Sequence, residues 1–341
     1  MRILLVSSMY PGARDPDFGT FVKGMADEIE RQGHDLARVV VDRRAGSVAK
    51  QLGLAARALG RARSFRPDVV YAQYLFPAGG AAALAAAAVR RPLVVTALGR
   101  DVRNVGDLPG FRAATRVVLA RADAVIATSH FIRRGLVERF PGVRVEVVSD
   151  GIDLERFRGR DGEEARRLVG WEGEPPRFLC VGALDERKNV RRLAEAFARL
   201  GAGSLAFVGD GPERPALAGR PRLRLVGRVP NAVVADWIAA SEVVCQPSLV
   251  EPFGHAVLEA MASERSVVAT AVGGPPEFVT PKAGVLVEPT SVEAIEEGLR
   301  AAAALPSPNL AAREAASVYD LRREAARVAE ILQRVRASRR Q

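Results

Sequence analysis

The sequence predicts an α/β protein made of two Rossmann-like parallel-sheet domains facing a cleft. Three observations carry this. Short, uniformly apolar runs, such as residues 3–6, 69–72 and 243–245, recur between stretches of helical spacing, the pattern of strands buried on both faces. Gly- and Pro-rich turns follow many of those runs, as strand-to-helix connections require. A chain of 341 residues, 48% of them hydrophobic, is long enough for two domains of ordinary size. Sheets of this kind bind ligands at the carboxyl ends of their strands.

In the first half, residues 3–6 read as a strand, 7–20 as a loop with four Gly or Pro, and 21–32 as a helix stopped by Gly33. Residues 39–41 form the next strand. Residues 48–65 have the spacing of a basic amphipathic helix. Strand 69–72, a loop over 73–80 and an alanine-rich helix follow, then strand 93–96 and the loop 97–101. A helix over 111–121, strand 124–127, helix 129–140 and strand 145–148 complete the half. After a linker around 161–174, strands at 178–181, 205–208, 223–226, 243–245 and 267–270 continue the alternation. Residues 310–341 read as one or two closing helices.

Composition narrows the function. The only two cysteines, Cys180 and Cys245, both lie in apolar runs, so no disulfide framework or zinc spacing exists and a reducing, cytoplasmic setting is expected. The apolar start is too short for a secretory signal, and the alanine-rich stretch too short to span a bilayer. Residues 1–160 hold 26 Lys and Arg against 16 Asp and Glu, whereas 161–341 hold 24 of each, so all of the net charge of +10 lies in the first half. Either that half meets an anionic partner or the chain uses arginine for solubility. No compact basic-aromatic motif supports nucleic acid. A dinucleotide dehydrogenase would need a Gly-x-Gly-x-x-Gly after the first strand, and there is none.

The stretch most suggestive of chemistry is Gln246-Pro247-Ser248-Leu249-Val250-Glu251-Pro252-Phe253-Gly254-His255-Ala256-Val257-Leu258-Glu259. It leaves an apolar strand, crosses a Pro/Gly loop and opens a helix near Gly254. Amides at such a helix start attract anions, and the two carboxylates eight positions apart can accept hydrogen bonds from hydroxyls. Phosphate plus hydroxyls describes a sugar nucleotide. Lys188, in the loop 182–189, could reach a diphosphate. His255 reads either as a sugar contact or as a helix cap. Asp15-Pro16-Asp17 matches Asp-x-Asp literally but reads as a turn, and no metal site is expected.

Together with the loop 8–22, Gly33-His34, Ser149-Asp150-Gly151-Ile152-Asp153, Val208-Gly209-Asp210-Gly211-Pro212 and Gly273-Gly274-Pro275-Pro276-Glu277, this Glu-x7-Glu stretch resembles glycosyltransferase family 4, the retaining enzymes of the GT-B fold. The resemblance implies an acceptor-binding domain over 1–155, a donor-binding domain over 156–315, and a final helix, 316–341, crossing back to the first. It implies a retaining, metal-independent hexosyltransferase with no cofactor beyond its co-substrate, a nucleoside-diphosphate sugar. Lys188 and Glu251 would be the catalytic pair. Lys188 resembles the diphosphate lysine, with Arg187 beside it and Gly19 approaching from the first domain. Glu251 matches the carboxylate for donor-sugar hydroxyls, beside the amides of Phe253 and Gly254. Val257 and Leu258 would offer phosphate-binding amides, Glu259 would bind the ribose, and Arg228 and Val229 would meet the base.

The sequence departs from the family at Ala183, where Arg is frequent, at Leu98 and Gln73, where His is frequent, and at Asp150, in place of Asn. Each lost charge-assisted partner is worth roughly 1.5–3 kcal/mol. These departures leave a second reading open, a non-catalytic glycosyltransferase-like partner subunit. The expected acceptor is a glycan, glycolipid or lipid-linked carrier. The helix 48–65 sets Lys50, Arg57, Arg61 and Arg63 among Leu52, Leu54, Leu59 and Phe65. It either lies peripherally in an anionic membrane surface, on the inner face, or packs its apolar side on the sheet.

Overall fold

The computed structural model describes residues 1–44, 48–107 and 110–339. The side chain of Lys50 lies outside the described residues. The chain divides into two compact units, Met1–Gly151 with Leu321–Gln341, and Ile152–Asp320. The change-over points lie side by side: Ile152 bridges to Asp320, and its N–H donates to the Tyr319 carbonyl at 2.7 Å.

Unit 1 runs β1 (Arg2–Ser7), α1 (Thr20–Arg31), β2 (Asp35–Val40), α2 (Val48–Phe65), β3 (Val69–Gln73), α3 (Ala78–Ala88), β4 (Leu93–Ala97), α4 (Arg100–Asp107), α5 (Phe111–Arg121), β5 (Ala124–Ala127), α6 (His130–Arg139) and β6 (Glu146–Val147). Its six strands are parallel, in the order β2-β1-β3-β4-β5-β6. They read as unbroken apolar runs because helices cover both faces. One core lies under α2, α3, α5 and α6, and another under α1 and the chain's last helix.

Unit 2 runs α7 (Gly162–Val169), β7 (Arg177–Val181), α8 (Val190–Leu200), β8 (Ser204–Val208), α9 (Arg214–Leu217), β9 (Leu223–Gly227), α10 (Val234–Ala240), β10 (Val243–Gln246), α11 (His255–Ala262), β11 (Ser266–Thr270), β12 (Gly284–Val287), α12 (Val292–Ala303) and α13 (Leu310–Ser317). Its sheet is also six-stranded and parallel, ordered β12-β11-β10-β7-β8-β9. Counted within the unit, this is the 3-2-1-4-5-6 order of the doubly wound fold. The last helix, α14 (Leu321–Ser338), returns to unit 1. There it buries Leu321, Ala325, Val328, Ile331, Leu332 and Val335, while its buried Glu324 accepts from the Ser149 N–H at 2.9 Å and pairs with Arg327.

The predicted fold class is observed. Three local readings change. The loop at 97–101 runs into α4, which the polar sequence Arg100–Asp107 did not advertise. The linker around 161–174 contains α7, started by the Asp161 carboxylate accepting from the Glu164 N–H and ended by Gly170 in the left-handed region. β12 adds a sixth strand to unit 2. Helix α2 turns Leu54, Ala58, Ala62 and Phe65 into the core, so its apolar stripe packs on the sheet.

Candidate functional site

In unit 2 the strand connections diverge between neighbours β7 and β10, and the loops leaving their carboxyl ends are stitched together. Asp185 accepts from the Lys188 N–H at 2.9 Å and closes a single 3-10 turn over Glu186–Lys188. Asn189 then adopts a left-handed conformation, with φ of 59°. Its buried side-chain amide donates to the carbonyls of Pro247 at 2.9 Å and Pro289 at 2.6 Å. From the other loop, the Leu249 N–H donates to the Arg187 carbonyl at 2.9 Å. Glu251 is fixed by its own backbone, donating to the Val272 carbonyl and accepting from the Gly274 N–H at 2.8 Å. A Cβ on Gly273 would come within 2.0 Å of the Glu251 carbonyl, so only glycine fits there.

These constraints bring Lys188 Nζ to 2.6 Å from Glu251 Oε2, with both side chains largely covered. Ser248 Oγ donates to the same oxygen at 3.1 Å. Burial pushes the Glu251 carboxyl up, but Lys188, then Arg187 and Ser248, outweigh it and hold the group below its ordinary value. The Arg187 side chain is exposed and lies 3.4 Å from Asp185.

Gly254, with φ of 108°, caps α11. Val257 and Leu258 are the residues whose amides the resemblance offers to phosphate. The N–H groups of Val257 and Leu258 both donate to the Gly254 carbonyl, at 3.0 and 3.1 Å, because the helix already begins at His255. The amides of Phe253, Gly254 and Ala256 are the ones with no acceptor among the described residues. The Phe253 ring is buried against His255, Phe278 and Tyr319. Glu259 sits half-buried in the second turn of α11. Burial raises its carboxyl, opposed by His255 and Arg156, and no described residue donates a hydrogen bond to it.

Arg228 and Val229 follow the bulged end of β9, where the Gly209 N–H donates to the Gly227 carbonyl at 2.8 Å. Two strand spacings, about 10 Å, separate β9 from β7. Arg228 is exposed, and Val229 packs against the core cluster that contains Phe253. The geometry therefore places Lys188, Glu251, Phe253, Gly254 and Glu259 on the segments that leave the carboxyl ends of the central strands β7 and β10, with Arg187 beside Lys188 and Arg228 and Val229 after β9, farther across the sheet. Sequence reasoning missed Asn189, Ser248 and Ala256; an Asn ending a turn in the left-handed region was the available signal for the first.

In unit 1, Gly19 caps α1 with φ of 72°, and a Cβ there would meet the Met9 backbone at 2.9 Å. Gln73 is buried against the Tyr71 hydroxyl, which lies 2.9 Å from Thr96 Oγ1. Asp101 accepts from the backbone N–H groups of Leu75 at 2.8 Å and Leu98 at 3.0 Å, and burial pushes its carboxyl up to about 6. Asp15 and Asp17 pair with Arg44 in the turn expected of them. Among the described residues no cluster of three or more His, Cys, Asp or Glu is arranged to hold a metal, and no helix is long and apolar enough to cross a membrane.

Two family models match the chain. The model described as Glycosyltransferase Family 4 matches residues 18–156, and that described as Glycosyl transferases group 1 matches residues 175–304. The chain is similar to the putative teichuronic acid biosynthesis glycosyltransferase TuaC of Bacillus subtilis, 28% identical over 346 residues that cover 88% of each protein. It is 32% identical over 293 residues to D-inositol 3-phosphate glycosyltransferase of Kribbella flavida, covering 75% of this chain and 68% of that one. Among solved structures, Anabaena Alr3699/HepE in complex with UDP and glucose superposes with a TM-score of 0.77 at 23% identity, over 98% of this chain and 99% of that chain.

Proposed function

This chain belongs to glycosyltransferase family 4, the group 1 glycosyl transferases with the GT-B fold, and we propose that it is a retaining, metal-independent hexosyltransferase that moves a sugar from a nucleoside-diphosphate sugar to a glycan, glycolipid or lipid-linked acceptor. The observation that carries the reading is the Lys188–Glu251 pair at the β7/β10 divergence, with an amide-presenting helix start and the unsatisfied carboxylate of Glu259 on the same segment. The relative crystallised with UDP and glucose has the same fold, which supports a nucleotide-sugar donor.

In this reading Lys188, Arg187 and the amides of Phe253, Gly254 and Ala256 receive the diphosphate. Glu259 accepts from ribose hydroxyls, and Arg228 and Val229 meet the base. Glu251, released from Lys188 as the phosphates take up that cation, accepts from donor-sugar hydroxyls. Stabilising the departing diphosphate is the largest catalytic contribution, and that group takes the acceptor proton on the face it leaves. The acceptor is met from the cytoplasm, at the inner face of an anionic membrane.

A thermal-shift screen over UDP-, GDP- and ADP-sugars tests the donor, since stabilisation grows with the logarithm of ligand over Kd. With the nucleotide so identified, Glu259→Ala should weaken binding of the bare nucleoside diphosphate about tenfold, the loss of one charge-assisted hydrogen bond. Glu251→Ala should affect sugar selection more than the bare nucleotide. Equal nucleotide affinity in wild type and Glu259→Ala sinks the donor assignment. Donor hydrolysis or transfer by the purified chain separates an enzyme from a non-catalytic subunit. Activity should survive excess EDTA; loss restored by magnesium or manganese refutes metal independence.

A further inference from the structure

Helices α2, α3 and α5 lie side by side over one face of the unit 1 sheet, and their inner sides form its core. Their outer sides carry three large aliphatic side chains in water: Leu52 on α2, 68% exposed, Leu84 on α3, 62% exposed, and Val117 on α5, 68% exposed. Each stands two positions from a residue that is fully or almost fully buried, namely Leu54, Ala82 and Thr115. Two helical positions are about 200° of rotation, so all three side chains point away from the sheet, on one surface. Packed helices lie about 8–10 Å apart, which spreads the three over about 20 Å.

The charge carried by the three helices has one sign. None of the residues of α2, α3 and α5 is acidic. The same helices carry Arg57, Arg61, Arg63, Arg112, Arg116 and Arg121, and Arg90 and Arg91 follow α3. Arg57 and Arg121 are anchored to backbone carbonyls, of Val40 and Arg91, at the margins of the layer. Much of the remaining outer surface is alanine, including Ala56, Ala87, Ala88, Ala113 and Ala120, which presents no bulk against a flat partner. Asp123, just past α5, pairs with Arg121 at 3.4 Å at the margin; an apolar surface rimmed mainly by guanidinium groups suits the interface of an anionic bilayer, where aliphatic tips enter the acyl boundary and arginines meet phosphates.

We propose that the outer face of the α2–α3–α5 layer is a docking surface for an anionic lipid bilayer. Helix α2 does not insert by itself, because its own stripe is committed to the core; the layer docks as a rigid face through Leu52, Leu84 and Val117. Attachment is reversible and salt-sensitive. The inference rests on the membrane part of the functional reading and not on its donor part.

The test is co-sedimentation of the full chain with vesicles of phosphatidylglycerol and phosphatidylcholine, against phosphatidylcholine alone, at low and high salt and with no donor present. Wild type should bind the anionic vesicles at low salt and be released by high salt. Leu52→Ser/Leu84→Ser/Val117→Ser and Arg63→Glu/Arg116→Glu should each lower the partition coefficient about tenfold. A control variant, Leu168→Ser/Leu310→Ser in unit 2, should bind as wild type does. Unchanged melting temperatures and nucleotide-induced thermal shifts establish that the variants are folded. Wild type that ignores anionic vesicles, or an aliphatic triple variant that binds them equally well, overturns the proposal. So does retention of an RNA oligomer without vesicle binding, or a stable dimer in light scattering that the triple variant abolishes.

Discussion

Glu251 is a carboxylate that burial alone would drive toward its neutral form, held ionised by Lys188. Its folded-state pKa is lowered, so it contributes stability that is fully present above the ordinary carboxylate value and is lost as pH falls through the folded value. Lys188→Met removes the opposing charge and leaves burial unopposed, so the Glu251 pKa should rise and unit 2 should be destabilised by about 2 kcal/mol at neutral pH. Lys188→Met/Glu251→Gln should recover part of that loss, since no uncompensated charge remains. Denaturant melts of the three proteins from pH 4 to pH 8 measure this. A single variant as stable as wild type at neutral pH shows that the pair contributes nothing to folding. The residue types of this site were legible in the sequence through the family resemblance that the Glu-x7-Glu stretch and the landmark loops carry together, which the spacing by itself does not. The hydrogen bonding of its helix start was not: the first turn begins at His255, and the Val257 and Leu258 N–H groups share the Gly254 carbonyl.

At the scale of the element, the site depends on loops that pass within van der Waals contact of each other. Gly209, with φ of 144°, runs so close to the loop after β7 that a Cβ would lie 1.8 Å from the Gly182 carbonyl oxygen. That contact and the Gly182 N–H bond to Val208 fix where the turn bearing Lys188 begins. Gly209→Ala combines a backbone clash with a disfavoured φ and should cost about 2–4 kcal/mol, and nucleotide affinity should fall along with stability. An alanine variant with wild-type melting temperature and affinity would mean that the loop can relax without moving the site. The strongly periodic elements were read from sequence because burial on both faces leaves uniform apolar runs. The polar α4, the short β12 and the small α7 were missed for the opposite reason. α4 gets its order from Asp101 gathering backbone amides, β12 is only four residues long, and α7 shows its Asp161 cap and Gly170 stop but little apolar surface.

At the scale of the whole molecule, the chain's last segment belongs to its first unit. Helix α14 is not an appended tail. It covers the face of the sheet that α1 shares, and its apolar side chains join Ile3, Leu5, Val22, Met25 and Ile29 in one cluster. Removing it would expose that cluster and strip Glu324 from the Ser149 N–H, leaving a buried donor without its acceptor. Five large or medium apolar side chains on this helix, Leu321, Val328, Ile331, Leu332 and Val335, are withdrawn from water. At about 1.5–3 kcal/mol for each fully buried large one, their loss is comparable to the whole typical stability of 5–15 kcal/mol unless the rest of unit 1 repacks. A stop after Asp320 should therefore leave unit 1 largely unfolded and protease-sensitive, while unit 2, whose segment Ile152–Asp320 is intact, keeps its own core and its nucleotide-dependent thermal shift. Limited proteolysis with mass mapping distinguishes the two units directly. Fragments should accumulate that begin near residue 152 and resist further cleavage when the nucleotide is present. If residues 1–151 survive digestion as well in the truncated chain as in the full one, α14 is a surface strap and not part of the unit 1 core.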